Sequence, residues 1–239
     1  GILGTTWGLV QVNAARGRDQ REANTAKAIN DFLRDMLTLA TPARAQGRQF
    51  TVREALDVAS QKLSSFQTDQ AGVEAAVRAV IGATYRSLGL LDAAELHLRR
   101  ALELRRERLG EDHPDTLVSQ TDLALLLNDR GQSAQAAAML TSALASQQRD
   151  PGPDAIDTLR TRSALGWVLR DQGKLDESEA HFRAAYDGLR RARGPESPAT
   201  VKASTDLAMV LIDQNKLDQA EPLLQRAVES SRRLLGDRH

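Results

Sequence analysis

Apolar residues recur at a fixed step of 42 residues over the last two thirds of the chain. The step divides this region into four blocks, residues 75–116, 117–158, 159–200 and 201–239. The seventh position of each block is large and apolar (Ile81, Leu123, Leu165, Leu207), and the eighth is small (Gly82, Ala124, Gly166, Ala208). With a further apolar residue at position eleven, the spacing of three and four predicts one face of a first helix.

A second helix is predicted in the later half of each block. Its apolar positions twenty, twenty-four and twenty-seven repeat in the same way, and the last is alanine every time (Ala101, Ala143, Ala185, Ala227). Between the two helices stands Gly89, Gly131, Gly173 or Asn215, the residues that favour a left-handed helix end. Acidic pairs that follow this turn resemble capping boxes at the start of the second helix: Asp92 with Glu95, Asp176 with Glu179, and Asp218 with Glu221.

A single helical hairpin of this kind cannot bury its apolar face. Stacking on neighbouring hairpins would bury it, so the predicted fold is all-α, a right-handed superhelical solenoid of antiparallel helix pairs. An irregular helical bundle is the alternative, and the constant period and matching positions argue against it.

Residues 26–74 follow the pattern only in part, and we expect them to form atypical leading helices that cap the array. The stretch from Ala26 to Ala40 has a helical apolar stripe. The next helix is predicted to start with a capping box of Thr51 and Glu54. Leu56 and Ala59 lie 42 residues before Leu98 and Ala101, in register with the second helix of a block.

Residues 1–25 open with an uncharged stretch from Gly1 to Val12 and then become polar. Twelve residues are too few to cross a bilayer, which takes about 20. Two interpretations stand: a terminal segment of a soluble domain, or the end of a transmembrane helix followed by a juxtamembrane segment. The second would anchor the array to a membrane and leave it outside the lipid, on a side that the sequence does not determine.

Composition and charge argue against several classes of function. Lysine plus arginine equals aspartate plus glutamate at 32 each, and a formal net charge of zero disfavours nucleic acid as the main partner. The chain has no cysteine, which excludes disulfides and thiolate metal sites. Its four histidines do not cluster in the sequence, so we expect no metal, no cofactor and no catalytic residues in this chain.

The candidate binding residues lie on the first helices, which we expect to line a concave groove. Position nine supplies an apolar stripe (Leu125, Trp167, Met209), position twelve adds Asn128, Arg170 and Ile212, and position thirteen forms an acidic row (Asp129, Asp171, Asp213). This combination suits a peptide or partner helix with an apolar anchor and basic residues. Alternatively, Trp167 and Met209 pack against neighbouring helices, while Lys174 and Lys216 pair with the aspartates three residues before them.

These blocks resemble the tetratricopeptide repeat in its 42-residue form. The segment LHLRRALELRRERLGEDHPDTL, from Leu96 to Leu117, is similar to the repeats of kinesin light chains and their bacterial relatives. The resemblance implies a protein-interaction scaffold with protein or peptide partners. A structural module that self-associates by stacking end to end is the alternative function.

The leading part carries a second resemblance. Its GTTWGLV, NDFLRDML and TVREALDVAS segments look like the region after the membrane span in bacterial serine/threonine protein kinases that end in a tetratricopeptide array. The resemblance implies a sensor or docking role beside a kinase. Since the sequence contains no Gly-rich phosphate loop, His-Arg-Asp loop or Asp-Phe-Gly motif, kinase activity is not expected of this chain.

Overall fold

The computed structural model describes residues 51–63 and 71–235, and every regular element in these ranges is an α-helix. In chain order they are α1 (Val52–Leu63), α2 (Ala71–Ser87), α3 (Leu91–Leu109), α4 (Pro114–Asp129), α5 (Ser133–Arg149), α6 (Ile156–Asp171), α7 (Leu175–Arg193), α8 (Pro198–Asp213) and α9 (Leu217–Leu235). The later first helices begin at residues 114, 156 and 198 and the second helices at 91, 133, 175 and 217, so the 42-residue period is confirmed. The fold is an all-α repeat solenoid, as predicted.

The chain forms two compact units, residues 1–108 and 109–239. In the first unit, α1 begins with the predicted capping box. The Thr51 amide donates to Glu54 Oε2 at 2.9 Å, and the Glu54 amide donates to Thr51 Oγ1 at 3.2 Å. Leu56 and Ala59 are 3% and 0% exposed, so α1 buries the residues predicted to be in register with the later helices.

The second unit stacks its helices in chain order, with α6 packed on α7 and α8 packed on both α7 and α9. The residues of the predicted core positions are buried on these contacts, among them Leu123, Leu165 and Leu207. The small eighth position leaves room for a side chain of the second helix: a Cβ added to Gly166 would lie 2.9 Å from Phe182 Cε1. Phe182, Leu207 and Leu211 belong to one buried cluster.

The turns within the repeats have the predicted left-handed residue. Gly131 has φ 78° and Asn215 has φ 60°. The amide of Gln132, the residue after Gly131, donates to Leu127 O at 2.8 Å. This hydrogen bond closes the end of the first helix and reverses the chain into the second.

The capping boxes predicted for the second helices are wrong. Helix α7 begins at Leu175, and Lys174 stands at its N-cap with no side-chain capping bond. Asp176 and Glu179 therefore lie within the helix, and Asp176 is two positions past the N-cap. Their side chains instead accept hydrogen bonds from the loop between α8 and α9 in the next repeat. Asp176 Oδ1 accepts from Gln214 Nε2 at 2.8 Å, and Glu179 Oε2 accepts from Lys216 Nζ at 2.7 Å. Asp92 and Asp218 likewise fall inside the first turns of α3 and α9.

The predictions for residues 1–50, a membrane-span end at Gly1–Val12 and a helix at Ala26–Ala40, lie outside the described residues. Among the helices that are described, none combines the length and the apolar character that crossing a membrane requires.

Candidate functional site

The candidate residues occupy the first helices α4, α6 and α8 of the second unit, and we call this surface the first-helix face. Five of them are half-buried: Leu125, Trp167, Met209, Asn128 and Arg170. Asp129, Asp171 and Asp213 are exposed at the ends of their helices, and Ile212 is 44% exposed. Their equal spacing places them at equivalent points of successive helices, as predicted.

Trp167 contacts one aromatic ring and lies close to two cations. Its ring meets Phe182 edge-on, with centroids 5.4 Å apart and planes at 79°. The guanidinium carbon of Arg170 lies 5.2 Å from the ring centroid and Lys202 Nζ lies 6.0 Å from it, within cation–π range. The ring thus packs against the Phe182 cluster, as the alternative interpretation expected, and two cations lie close to it.

Two members of the acidic row, Asp171 and Asp213, are bonded to the preceding repeat. Asn128 Nδ2 donates to Asp171 Oδ2 at 2.5 Å, and the Arg170 guanidinium forms an ion pair with Asp213. The hydrogen bond from Arg170 to Asp213 raises the pKa of the Arg170 guanidinium. Positions twelve and thirteen of neighbouring repeats therefore form polar links along the face. They lower the net negative potential that the aspartates would otherwise present to a ligand.

These links correct the expected lysine pairing. The alternative interpretation paired Lys216 with Asp213, but the ammonium group of Lys216 contacts Glu179 of the preceding repeat. Arg170 takes its place at Asp213. The helix ends before Lys216, and the turn at Asn215 directs the chain back toward α7, so proximity in sequence does not bring the two charges together.

Two further ion pairs on the first-helix face were not predicted. Arg160 pairs with Asp122 one repeat earlier, and Lys202 Nζ lies 2.7 Å from Asp206 within α8. The Asp206 side chain is only 7% exposed. The links between repeats join opposite charges that stand about one repeat apart, 38 residues for Asp122 with Arg160 and 43 for Arg170 with Asp213. A search of the sequence for opposite charges at that separation would have found them.

The described part of the chain contains no group of three or more histidine or acidic residues placed to hold a metal ion. His113 caps α4, since its Nδ1 accepts a hydrogen bond from the Asp115 amide at 3.2 Å. His97 in the first unit is buried beside Ser60, and burial followed by the charge of Arg78 lowers its pKa to about 4. His113 thus stabilises the start of a helix, and His97 is a buried packing residue whose Nε2 lies 2.9 Å from Ser60 Oγ.

Known structures share this fold. BtubC (BKLC) from P. vanneervenii has a TM-score of 0.63 at 15% identity, over 92% of this chain and 93% of that one. A putative kinesin light chain from Podosopora anserina has a TM-score of 0.62 at 19% identity, over 85% and 96% of the two chains. Aspartyl phosphate phosphatase F from Bacillus subtilis has a TM-score of 0.64 at 13% identity, over 96% of this chain and 56% of that one. At such identities the likeness concerns the fold alone.

No protein with a curated description matches the sequence. The profile of the tetratricopeptide repeat matches residues 74–149, 127–191 and 157–233, which together span well over half of the chain. The matched region starts within α2 and ends within α9, so it contains the first-helix face and every polar link between repeats described above. This chain belongs to the tetratricopeptide repeat family.

Proposed function

We propose that this chain is a protein-interaction scaffold that binds a peptide or partner helix on its first-helix face. The observation that carries the proposal is the position of Trp167. Its ring is half-buried against Phe182 and lies within cation–π range of Arg170 and Lys202. A rigid aromatic side chain held in this way can bind a ligand side chain with little loss of conformational freedom.

The rest of the face suits the same kind of ligand. Leu125 and Met209 stand at the positions equivalent to Trp167 on α4 and α8, and both are half-buried. A ligand lying across the helices would meet these three apolar side chains in turn. Basic ligand residues would share Asp171 and Asp213 with the groups that already bond to them.

The test is a selection of peptides from a random display library on the whole chain, followed by affinity measurements on variants. Trp167→Ala should weaken the selected peptides by at least about 2 kcal/mol, while Trp167→Phe keeps part of the affinity. Asp171→Asn combined with Asp213→Asn should slow association and reduce its dependence on salt. Peptides whose affinity is the same for all these folded variants would place binding elsewhere.

The proposed setting is the sensor or docking region of a membrane-anchored bacterial serine/threonine protein kinase. The support is the resemblance of the leading segments, in particular TVREALDVAS, which forms α1. The coding sequence upstream of Gly1 tests it. An apolar span preceded by the Gly-rich and His-Arg-Asp motifs of a kinase is the expected result, and any other upstream region would refute it.

Self-association is the second candidate function, favoured by the apolar surface at α9. Leu217 and Val228 are 55% and 51% exposed, and with Ile212 and Leu224 they line an open groove of about 550 Å³. Light scattering over a range of concentrations separates the two candidates. A constant monomer mass would refute self-association, and an increase that Val228→Glu abolishes would support it.

A further inference from the structure

Two rows of charge flank the apolar stripe of Leu125, Trp167 and Met209 on the first-helix face. On α6, Arg160 stands seven residues before Trp167, and Asp171 stands four residues after it. The same three positions of α8 hold Lys202, Met209 and Asp213. Residues four and seven apart lie on one side of a helix, so each of these helices presents a cation, an apolar side chain and an acid in line.

The basic row consists of Arg160 and Lys202, and its cations are more exposed than the acids that pair with them. The Arg160 side chain is 46% exposed, and that of its partner Asp122 is 15% exposed. The Lys202 side chain is 69% exposed, and that of Asp206 is 7% exposed. A guanidinium has five N–H donors and an ammonium has three, so both cations keep donors for a ligand while they are paired. This side of the stripe therefore presents positive charge.

The acidic row lies on the other side of the stripe. Asp171 and Asp213 are exposed, and each accepts a hydrogen bond through Oδ2, from Asn128 and Arg170 respectively. A carboxylate has about four acceptor positions, so each can also accept from a basic ligand residue. Arg160 and Asp171 are eleven residues apart on α6, which separates the two rows by roughly 16 Å along the helix. An α-helix with its side chains is about 10–12 Å across, so it would lie between the rows with one flank facing each.

The stripe fixes the spacing of the ligand's apolar residues. Helix α6 contacts both α4 and α8, and packed helices lie about 8–10 Å apart. Two turns of an α-helix, or seven residues, rise about 10.5 Å. A β-strand repeats one side every two residues, about 6.6 Å, which does not match the stripe. A ligand helix laid across the three first helices would therefore place an apolar residue from every seventh position on Leu125, Trp167 and Met209.

We propose that the ligand of the first-helix face is an amphipathic helix with an apolar residue at every seventh position, acidic residues on one flank of that stripe and basic residues on the other. This inference rests on the proposed binding role of the face and adds the chemistry of the partner. The acidic flank lies against Arg160 and Lys202, and the basic flank lies against Asp171 and Asp213. Because the two flanks differ in charge, such a helix satisfies both rows in only one of its two directions across the face.

The probe is a synthetic helix of three copies of the heptad LEQAAQK, whose leucines form the stripe and whose glutamates and lysines lie on its two flanks. The controls are peptides of the same length built from LQQAAQK and LEQAAQQ, each of which neutralises one flank. Binding to the whole chain is followed by the backbone amide signals in nuclear magnetic resonance spectra. Since each flank would form two exposed ion pairs, we expect either control to bind at least about fivefold more weakly.

Arg160→Gln and Lys202→Gln should each reduce the preference for LEQAAQK over LQQAAQK, because each removes a cation that faces the glutamates. Arg183→Gln is the matched control and should keep the preference. Its side chain is 47% exposed and pairs with Glu179, which is 15% exposed, but it lies on the second helix α7, outside the face. Should Lys202→Gln fail to fold because it leaves the buried Asp206 unpaired, Lys202→Gln with Asp206→Asn replaces it.

The direction of the ligand provides a second measurement. A peptide built from LKQAAQE exchanges the charges of the two flanks, so it should bind with similar affinity but run the opposite way across the face. A nitroxide label at the N-terminus should broaden signals of α4 with one peptide and signals of α8 with the other. Labels that broaden the same helix with both peptides would overturn the proposed arrangement of charges.

Equal affinities for LEQAAQK and its two neutralised controls would also overturn the proposal. So would selected library peptides that are rich in proline, because a polyproline II chain repeats at about 9 Å and matches the stripe without charged flanks. Library peptides that bind in a Trp167-dependent way, while no heptad peptide binds, would refute the helical partner and leave the proposed binding role of the face intact. If neither kind of peptide binds, both the binding role and the helical partner are refuted.

Discussion

Gly166 and Phe182 form a size-matched pair, and replacing Gly166 with alanine should destabilise the protein. The added Cβ would lie 2.9, 3.0 and 3.1 Å from three ring atoms of Phe182, where ordinary contacts are 3.4–4 Å. The ring would have to retreat by at least 0.5 Å (3.4 minus 2.9). Since Trp167 meets Phe182 edge-on and the ring is 1% exposed, there is little space behind it.

Two effects of opposite sign decide the size of the change. Alanine is better than glycine within a helix by about 1 kcal/mol. Overpacking a core costs about 1–3 kcal/mol. The net loss for Gly166→Ala is therefore about 0–2 kcal/mol. Phe182→Leu alone should cost about 1–2 kcal/mol, because it leaves a space in the core.

The double variant Gly166→Ala with Phe182→Leu provides the sharper test. It recreates a pair that the chain already uses one repeat earlier, where Ala124 and Leu140 are both 0% exposed. The double variant should be more stable than the sum of the two single changes predicts, by at least about 1 kcal/mol. Urea denaturation followed by circular dichroism measures all four proteins. Additivity within about 0.5 kcal/mol would refute the argument that these two side chains compete for the same space.

Three further predictions concern the core, the turns and pH. Ala143→Leu and Ala185→Leu should each lower the free energy of unfolding by about 1–3 kcal/mol, because both sites are 0% exposed. Ala180→Leu, at an exposed site of α7, is the control and should leave it unchanged. An unchanged urea midpoint for the two core variants would contradict the assigned core positions. Asn215→Ala should lower the free energy of unfolding by about 1 kcal/mol and Asn215→Gly should not, because the backbone at this residue has φ 60°. A higher thermal midpoint for the alanine variant than for the glycine variant would contradict this explanation. Because burial lowers the pKa of His97 from 6.5 to about 4, the unfolded chain takes up the proton first as the pH falls. The free energy of unfolding should then decrease by about 2 kcal/mol between pH 7 and pH 5, and His97→Gln should remove most of that decrease in urea titrations at the two pH values.

The helices and their order could be predicted from the sequence because each depends on residues close together in the chain. Leu123 and Leu127, four residues apart, mark the buried side of α4 without knowledge of any neighbour. The turn at Gly131 follows from the backbone requirement of one residue, φ 78°. Local spacing of this kind recurs at every 42-residue step, so the fold class and the period were predictable together.

The polar contacts of the candidate site depend on how one repeat is rotated against the next. Arg170 reaches Asp213, 43 residues away, whereas Lys216, only three residues from Asp213, turns toward Glu179. Helical spacing within one block carries no information on that rotation. The binding role of the candidate residues remains a prediction, because their positions alone do not identify a ligand.

The links between repeats also limit how this array could change by duplication or loss of a repeat. Each interface has its own pairs: Asn128 with Asp171, then Arg170 with Asp213 and Glu179 with Lys216. Excision of residues 159–200 would keep the 42-residue period and give Asn128 an equivalent aspartate in Asp213, yet it would leave Lys216 facing alanine. The repeats are thus similar in backbone but not interchangeable, because the polar pairs at each interface depend on which repeat follows which.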